Sequence, residues 1–363
     1  MNEPINFSYK ELQNPSLRIK IGQMILVGFR GLHIDDSDFI KKDIIETGIG
    51  GVILFDYDVL LQKTQRNIAS SQQVRSLVSE IQELATIPLF ISIDQEGGNV
   101  NRLKPEYGFP DSFTHQKLGD IDDTDLTFEQ ADIIASTLSS LGINVNFAPV
   151  VDLNINPQNP VIGGKKRCFS DDPLNVTSHA AAFIQAHRKN NIISTIKHFP
   201  GHGSSEDDTH LGMADVTKTW QDEELIPYRN LIHRKLCDMV MTTHIFNAKL
   251  DPHYPATLSH TIQTGILREK LGYKGVLISD DLQMKAISDY YSLEETVRLA
   301  INAGVDILTF GNNTAFEPEK TAEIADIIYQ LVESEQISES RINESYQRII
   351  NLKQQFKLLQ LSI

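Results

Sequence analysis

Short, almost wholly apolar runs recur along the chain, separated by longer stretches in which apolar residues return every three or four positions. Eight such runs occur: Ile21–Gly28, Gly48–Phe55, Pro88–Ile93, Ile143–Val151, Ile192–Ile196, Cys237–Thr243, Gly275–Ser279 and Val305–Phe310. Runs this short and this continuous predict strands of a parallel sheet buried on both faces. The stretches between them, among them Val74–Ala85, Phe128–Leu141, Val176–Lys189 and Leu293–Ala303, carry the spacing of amphipathic helices. Strands alternating with helices in this way predict an α/β fold, a (β/α)8 barrel of the TIM type. A doubly wound open sheet is the structural alternative, but it does not need polar clusters at so many separate strand ends. Beyond the eighth run, residues 317–363 are amphipathic, with Ile324, Ile328, Leu331, Ile349, Ile350 and Leu358 on apolar stripes, and are expected to close the outer ring of helices. Residues 1–20 read as an N-terminal extension. No linker, repeat or low-complexity tract breaks the pattern, so a single domain over residues 1–363 is expected.

Charge and composition narrow the partners. The chain carries a formal net charge of -15, which leaves no basic face for nucleic acid or an anionic membrane. No run approaches the ~18 apolar residues of a membrane span. The first twenty residues lack the apolar core of a secretory leader, so a cytoplasmic location is expected. Two cysteines, Cys168 and Cys237, are too few for a disulfide framework or a zinc site and fit a reducing compartment. A monomer is expected.

In a barrel of this kind, function is built on the loops that follow the strands. The third run is followed by Asp94-Gln95-Glu96-Gly97-Gly98 and then Arg102. The fourth is followed by Asp152 and a loop from Asn159 to Arg167, and the sixth by His244. The seventh is followed by Asp280-Asp281-Leu282-Gln283-Met284. The richest segment follows the fifth: Lys197-His198-Phe199-Pro200-Gly201-His202-Gly203, then Ser204 to His210. Glycine and proline end the regular element there and leave a polar loop. Within it, Asp208-Thr209-His210 sets a carboxylate two residues from an imidazole, a recurrent way to build an acid/base that works near neutral pH. For Asp152 and Asp281 a structural role, as a helix cap or a support for other side chains, is the expectation. His198 and His202 have a ligand-like spacing, but on a Gly/Pro loop rather than a helix, so no metal is expected. No dinucleotide fingerprint or phosphate-binding loop is present, and no cofactor is expected.

The segment KHFPGHG with the Asp208/His210 pair in register resembles the signature of glycoside hydrolase family 3, in its β-N-acetylhexosaminidase branch. DQEGG at Asp94–Gly98, NFAPV at Asn146–Val150, NPVIG at Asn159–Gly163 and SDDLQM at Ser279–Met284 extend the resemblance from about Ile21 to about Phe310. It implies a retaining exo-β-N-acetylglucosaminidase acting on a small carbohydrate, with Asp280 as nucleophile, His210 as acid/base and Asp208 as its partner. Asp94, Arg102, Arg167, Lys197 and His198 match positions that hold the sugar. The implied substrate is a GlcNAc-1,6-anhydro-muramyl peptide from cell-wall recycling. Larger members carry a second domain, which in many β-glucosidases supplies the acid/base; in this chain the barrel itself is expected to provide it. A β-glucosidase or broader β-glycosidase is the rival within the family, and an inactive sugar-binding protein the rival outside catalysis. Three departures stand out: Asn99 where the family usually has Arg, the charged Lys165-Lys166 before Arg167, and a changed start to the loop before Asp208.

Overall fold

The computed structural model describes Leu12 and residues 15–359, so the ends of the expected N-terminal extension and of the C-terminal helices lie outside the described residues. Eight parallel strands form a closed barrel. They are β1 (Ile25–Gly28), β2 (Gly51–Leu54), β3 (Phe90–Ile93), β4 (Val145–Asn146), β5 (Ile193–Phe199), β6 (Met239–Thr242), β7 (Val276–Asp281) and β8 (Ile307–Phe310). Each strand pairs with its neighbours in sequence, and β1 closes the ring on β8 with Ile25 opposite Leu308. Every residue of β1, β2, β3 and β8 is buried, because helices cover one face and barrel side chains the other. The eight apolar runs therefore mark the eight strands, and the expected TIM-type barrel is present.

The helices follow the pattern that predicted them. Helix Ser71–Leu84 buries Val74, Leu77, Val78 and Ile81, one stripe at helical spacing, and opens with the Ser70 hydroxyl accepting from the Gln73 amide. Helix Leu293–Ala303 starts with a reciprocal Ser292/Glu295 capping box and stops at Gly304, whose φ of +119° suits glycine. Helices Lys320–Glu333 and Glu339–Gln355 complete the ring. Among the described residues no helix is long and apolar enough to cross a membrane.

Several boundaries differ from the expectation. Ile21 to Gln23 belong to helix Leu17–Gln23 rather than to β1, so part of the supposed extension is the helix that leads into the barrel. Strand β4 shrinks to Val145–Asn146, since a proline at 149 cannot donate to a ladder, and Val150 rejoins the sheet by a single bridge to Lys197. Strands β5 and β7 run further than their apolar runs, to Phe199 and Asp281. Of those extra residues, Lys197, His198, Asp280 and Asp281 are polar because they open onto the barrel mouth, while Phe199 is buried in the core.

The opposite end of the barrel is closed by buried charge. Asp306, just before β8, accepts from Arg268 at 2.7 Å, Arg341 at 2.9 Å and Arg348 at 3.0 Å. Lys353, from the last helix, is buried with its Nζ 2.7 Å from Gln23 Oε1 and 3.2 Å from the Gly50 carbonyl. Burial pushes its amine down to about 7.

Candidate active site

The polar groups converge at the C-terminal ends of the strands. Asp94 follows β3, and Gln95–Gly97 continues extended. Residues two apart in an extended segment share one side, so Asp94 and Glu96 both reach Lys197. Lys197 Nζ is 2.7 Å from Asp94 Oδ1 and 2.8 Å from Glu96 Oε1. Arg167 clamps Glu96 with two bonds, Nε to Oε2 at 2.9 Å and Nη2 to Oε1 at 2.6 Å. Arg102 lies 3.6 Å from Asp94 and 3.8 Å from Asp56. Burial would push the Glu96 and Asp94 carboxyls up; the adjacent Arg167, Lys197 and Arg102 outweigh it and hold both below their ordinary values.

Lys197 and His198 were expected on a loop, but the structure places them inside β5. The ladder continues past the apolar run because the Lys197 carbonyl accepts from the Val151 amide at 2.9 Å. His198 is then fixed from two sides. Its Nδ1 is 2.6 Å from Asp152 Oδ2, and its Nε2 is 3.2 Å from Arg167 Nη2, an obligate donor. Nδ1 therefore carries the proton and Nε2 accepts. Asp152 also accepts from the backbone amides of His198 at 3.2 Å and His202 at 2.8 Å, and these bonds with the His198 imidazole hold it ionised against its burial. Its expected supporting role is thus that of the residue that sets the His198 ring.

Asp280 and Asp281 end β7 with opposite electrostatics. Burial raises both. For Asp280 the nearby His244, His198 and His210 and the Asp281 amide, 2.8 Å from Oδ1, prevail and hold the carboxyl below its ordinary value. For Asp281 burial prevails and pushes it up to about 6, although its Oδ1 accepts from the Gly311 amide at 3.1 Å and the Gln283 amide at 3.0 Å. Adjacent carboxyls with diverging pKa values mark different roles. His244 sits beneath them and donates from Nε2 to the Asp281 carbonyl at 3.0 Å.

His210 rides on a surface loop whose base is pinned. Gly203 lies so close to Leu153 that a Cβ would stand 1.7 Å from its carbonyl oxygen. The Gly203 amide donates to Glu224 at 3.2 Å, and Asn159 Nδ2 donates to the His202 carbonyl at 2.7 Å. At the loop's far end, Asp208 Oδ1 accepts from the His210 amide at 2.8 Å and from its Nδ1 at 2.7 Å. Burial favours neutral His210, but the Asp208 bond and the charge of Asp280 outweigh it and raise the imidazole above its ordinary value. The same bond pulls Asp208 down to about 2.

Asp94, Arg102, Arg167, Lys197, His198, His210 and Asp280 line one cavity of about 320 Å³, the size of a small-ligand site. Asp208 stands behind His210 instead of in the wall. Every expected site residue is thus brought to one place, with Asp152, expected as a cap or support, and with Glu96, His202 and His244, to which the sequence reading gave no site role. For Glu96 a signal existed, since it sits two residues after Asp94 in DQEGG. The other three depend on contacts between separate strands. Among the described residues no three His, Cys, Asp or Glu side chains are arranged to hold a metal; the His198 and His202 rings are 6.0 Å apart, and His202 Nε2 turns to Thr209.

Comparison with known proteins identifies the family. Residues 16–352 match the model of the glycosyl hydrolase family 3 N terminal domain. A β-hexosaminidase A of Pseudoalteromonas piscicida is 36% identical over 338 residues, covering 84% of this chain and 53% of the relative. A β-hexosaminidase of Tolumonas auensis is 36% identical over 296 residues, covering 80% of this chain and 83% of the relative. The structure of a family 3 β-N-acetylglucosaminidase from a Paenibacillus species superposes with a TM-score of 0.87 at 36% identity, over 96% of this chain and 64% of that one. The chain thus spans about half the length of one curated relative and most of the other. With the family model spanning nearly all of the barrel, this chain belongs to glycosyl hydrolase family 3.

Proposed function

We propose that this chain is a retaining exo-β-N-acetylglucosaminidase. The observation that carries the reading is the pairing, in one cavity, of an Asp280 held ionised with a His210 whose Nδ1 is bound by Asp208. A retaining hydrolase needs a carboxylate nucleophile at the anomeric carbon and a proton donor at the leaving oxygen. In this reading an Asp280 oxygen attacks C1 while His210 Nε2–H protonates the glycosidic oxygen, and the aglycone departs as an alcohol. Neutral His210 then takes a proton from water as its oxygen attacks C1, releasing Asp280. Asp208 orients the ring and supports its protonated form. Asp94, Arg102, Arg167, Lys197 and His198 hold the sugar hydroxyls, with Glu96 and Asp152 keeping those groups in place. The relatives' naming as β-hexosaminidases supports a GlcNAc glycone. The natural substrate we assign is a GlcNAc-terminated peptidoglycan fragment, for which the support is the resemblance of the motifs.

The test is hydrolysis of p-nitrophenyl β-GlcNAc beside p-nitrophenyl β-glucose. GlcNAc should be preferred, Asp280→Ala should be inactive, and His210→Ala should be slow yet measurable on this good leaving group. Preference for glucose, or an unimpaired His210→Ala, would overturn the reading.

A further inference from the structure

The cavity wall contains four cations, and three are neutralised within the protein. Lys197 lies against Asp94 and Glu96, Arg167 against Glu96, and Arg102 near Asp56 and Asp94. The fourth, Lys165, lines the same cavity and has no carboxylate within ion-pairing distance among the described residues. Its side chain is exposed, while its backbone is held firmly. Asn99 Nδ2 donates to the Lys165 carbonyl at 3.0 Å, and the Lys166 amide closes the turn on the Gly163 carbonyl at 2.9 Å. Two residues on, Arg167 is buried against Glu96. A rigid backbone thus presents a free ammonium at the cavity. Two of the sequence departures, Asn99 and Lys165, meet in this contact.

The position of that ammonium has meaning. Lys165 and His210 both line the cavity and are both exposed, whereas Arg167, Lys197 and His198 are buried within it, so the ammonium lies at the open rim with the proton donor. A proton donor must stand beside the leaving oxygen, so groups on that side face the aglycone. On a chain of net charge -15, an unpaired cation at the rim is a group to which an anionic aglycone is drawn.

We infer that Lys165 is a specificity residue that binds a carboxylate on the aglycone. The inference rests on the glycosidase reading above. It is tested with two disaccharides of the same β-1,4 linkage, GlcNAc on GlcNAc and GlcNAc on a sugar bearing a 3-O-lactyl carboxylate. The kcat/KM ratio of the lactyl to the plain disaccharide should exceed one by about 2- to 5-fold, the range of an exposed ion pair. Lys165→Ala should bring the ratio to about one, Lys165→Glu below it, and Lys165→Arg should keep it. High salt should erase the preference. A third substrate, with the lactyl group amidated by a peptide that ends in free carboxylates, separates the sources. A Lys165-dependent preference that persists assigns the contact to the peptide, and one that vanishes assigns it to the lactyl group. Because each ratio compares two substrates on one enzyme, a loss of folded protein cancels. A ratio that Lys165→Ala and Lys165→Glu leave unchanged overturns the inference while the glycosidase reading stands. Wild type that cleaves neither disaccharide overturns both.

Discussion

Replacing Asp208 with Asn tests the electrostatics of the proposed proton donor most directly. An Asn oxygen can still accept from the His210 amide, now 2.8 Å from Asp208 Oδ1, so the local turn survives and only the charge is lost. The size of the effect follows from exposure. A hydrogen bond to a charged group contributes about 1.5–3 kcal/mol when sheltered. The His210 side chain is 46% exposed, so the limit for a surface pair applies, up to ~1 kcal/mol. At 1.36 kcal/mol per pH unit that is roughly 0.7 unit. The His210 pKa should fall by that amount, moving the basic limb of kcat/KM to lower pH. With chitobiose, whose leaving group needs a proton, kcat/KM near pH 8 should drop by up to about 5-fold, the ratio that a shift of roughly 0.7 unit allows. With the nitrophenyl glycoside the loss should be smaller. Profiles from pH 5 to 9 on both substrates decide the matter: a basic limb that stays in place, or moves up, refutes the assignment. The same pair bears on stability. The raised His210 contributes fully below 6.5 and loses that contribution as pH climbs through its raised value, whereas the lowered Asp208 contributes fully above 3.8 and loses it as pH falls through about 2. Its stabilising effect is therefore complete between pH 3.8 and 6.5.

Three further outcomes are expected. Glu96→Gln leaves Arg167 and Lys197 short of a buried countercharge and should destabilise the fold by about 3–5 kcal/mol in urea unfolding and raise KM; a change under 1 kcal/mol would contradict the network's role. Gly203→Ala forces a Cβ against the Leu153 carbonyl, so the loop base must shift; kcat should fall about 10-fold or more while the inhibition constant of free GlcNAc holds, and an unchanged kcat would show that the loop base does not set His210. Lys353 titrates at about 7 when folded and near 10.5 when unfolded, so the unfolded chain holds more protons between those values and stability rises with pH there, by at most about 1.4 kcal/mol per unit. Lys353→Met should remove that rise, as read from urea midpoints at pH 7 and pH 9, and an equal slope in both proteins would rule the effect out.

Periodicity located the barrel because a strand buried on both faces must be apolar along its whole length, as β1, β2, β3 and β8 are. The same rule hid the ends of β5 and β7. Lys197, His198, Asp280 and Asp281 belong to the ladder, yet they face the mouth, where ion pairs and amides replace apolar packing. Gly203 and Pro200 correctly announced a loop, though three residues later than the charge pattern implied. The resemblance of the motifs named the residues of the cavity wall and Asp208 as the partner of His210, but not what Asp152 and Glu96 hold. Asp152 holding His198, and Arg167 closing on Glu96 from 71 positions away, are contacts between segments that follow or end different strands. No local spacing encodes such contacts, and only closure of the barrel brings them together.

The extension of β5 divides labour within a single stretch of sequence. Lys197 and His198 are held by the sheet, whereas His210, twelve residues beyond His198, rides on a loop whose base is pinned at Gly203. In the proposed reading, the groups that hold the sugar and the group that delivers the proton thereby sit on different parts of the fold. The sheet thus fixes one set of polar groups by its own ladder, while the position of His210 depends on bonds made by its loop, Asn156 Nδ2 to the Ser205 carbonyl and the Ala286 amide to the Thr209 carbonyl.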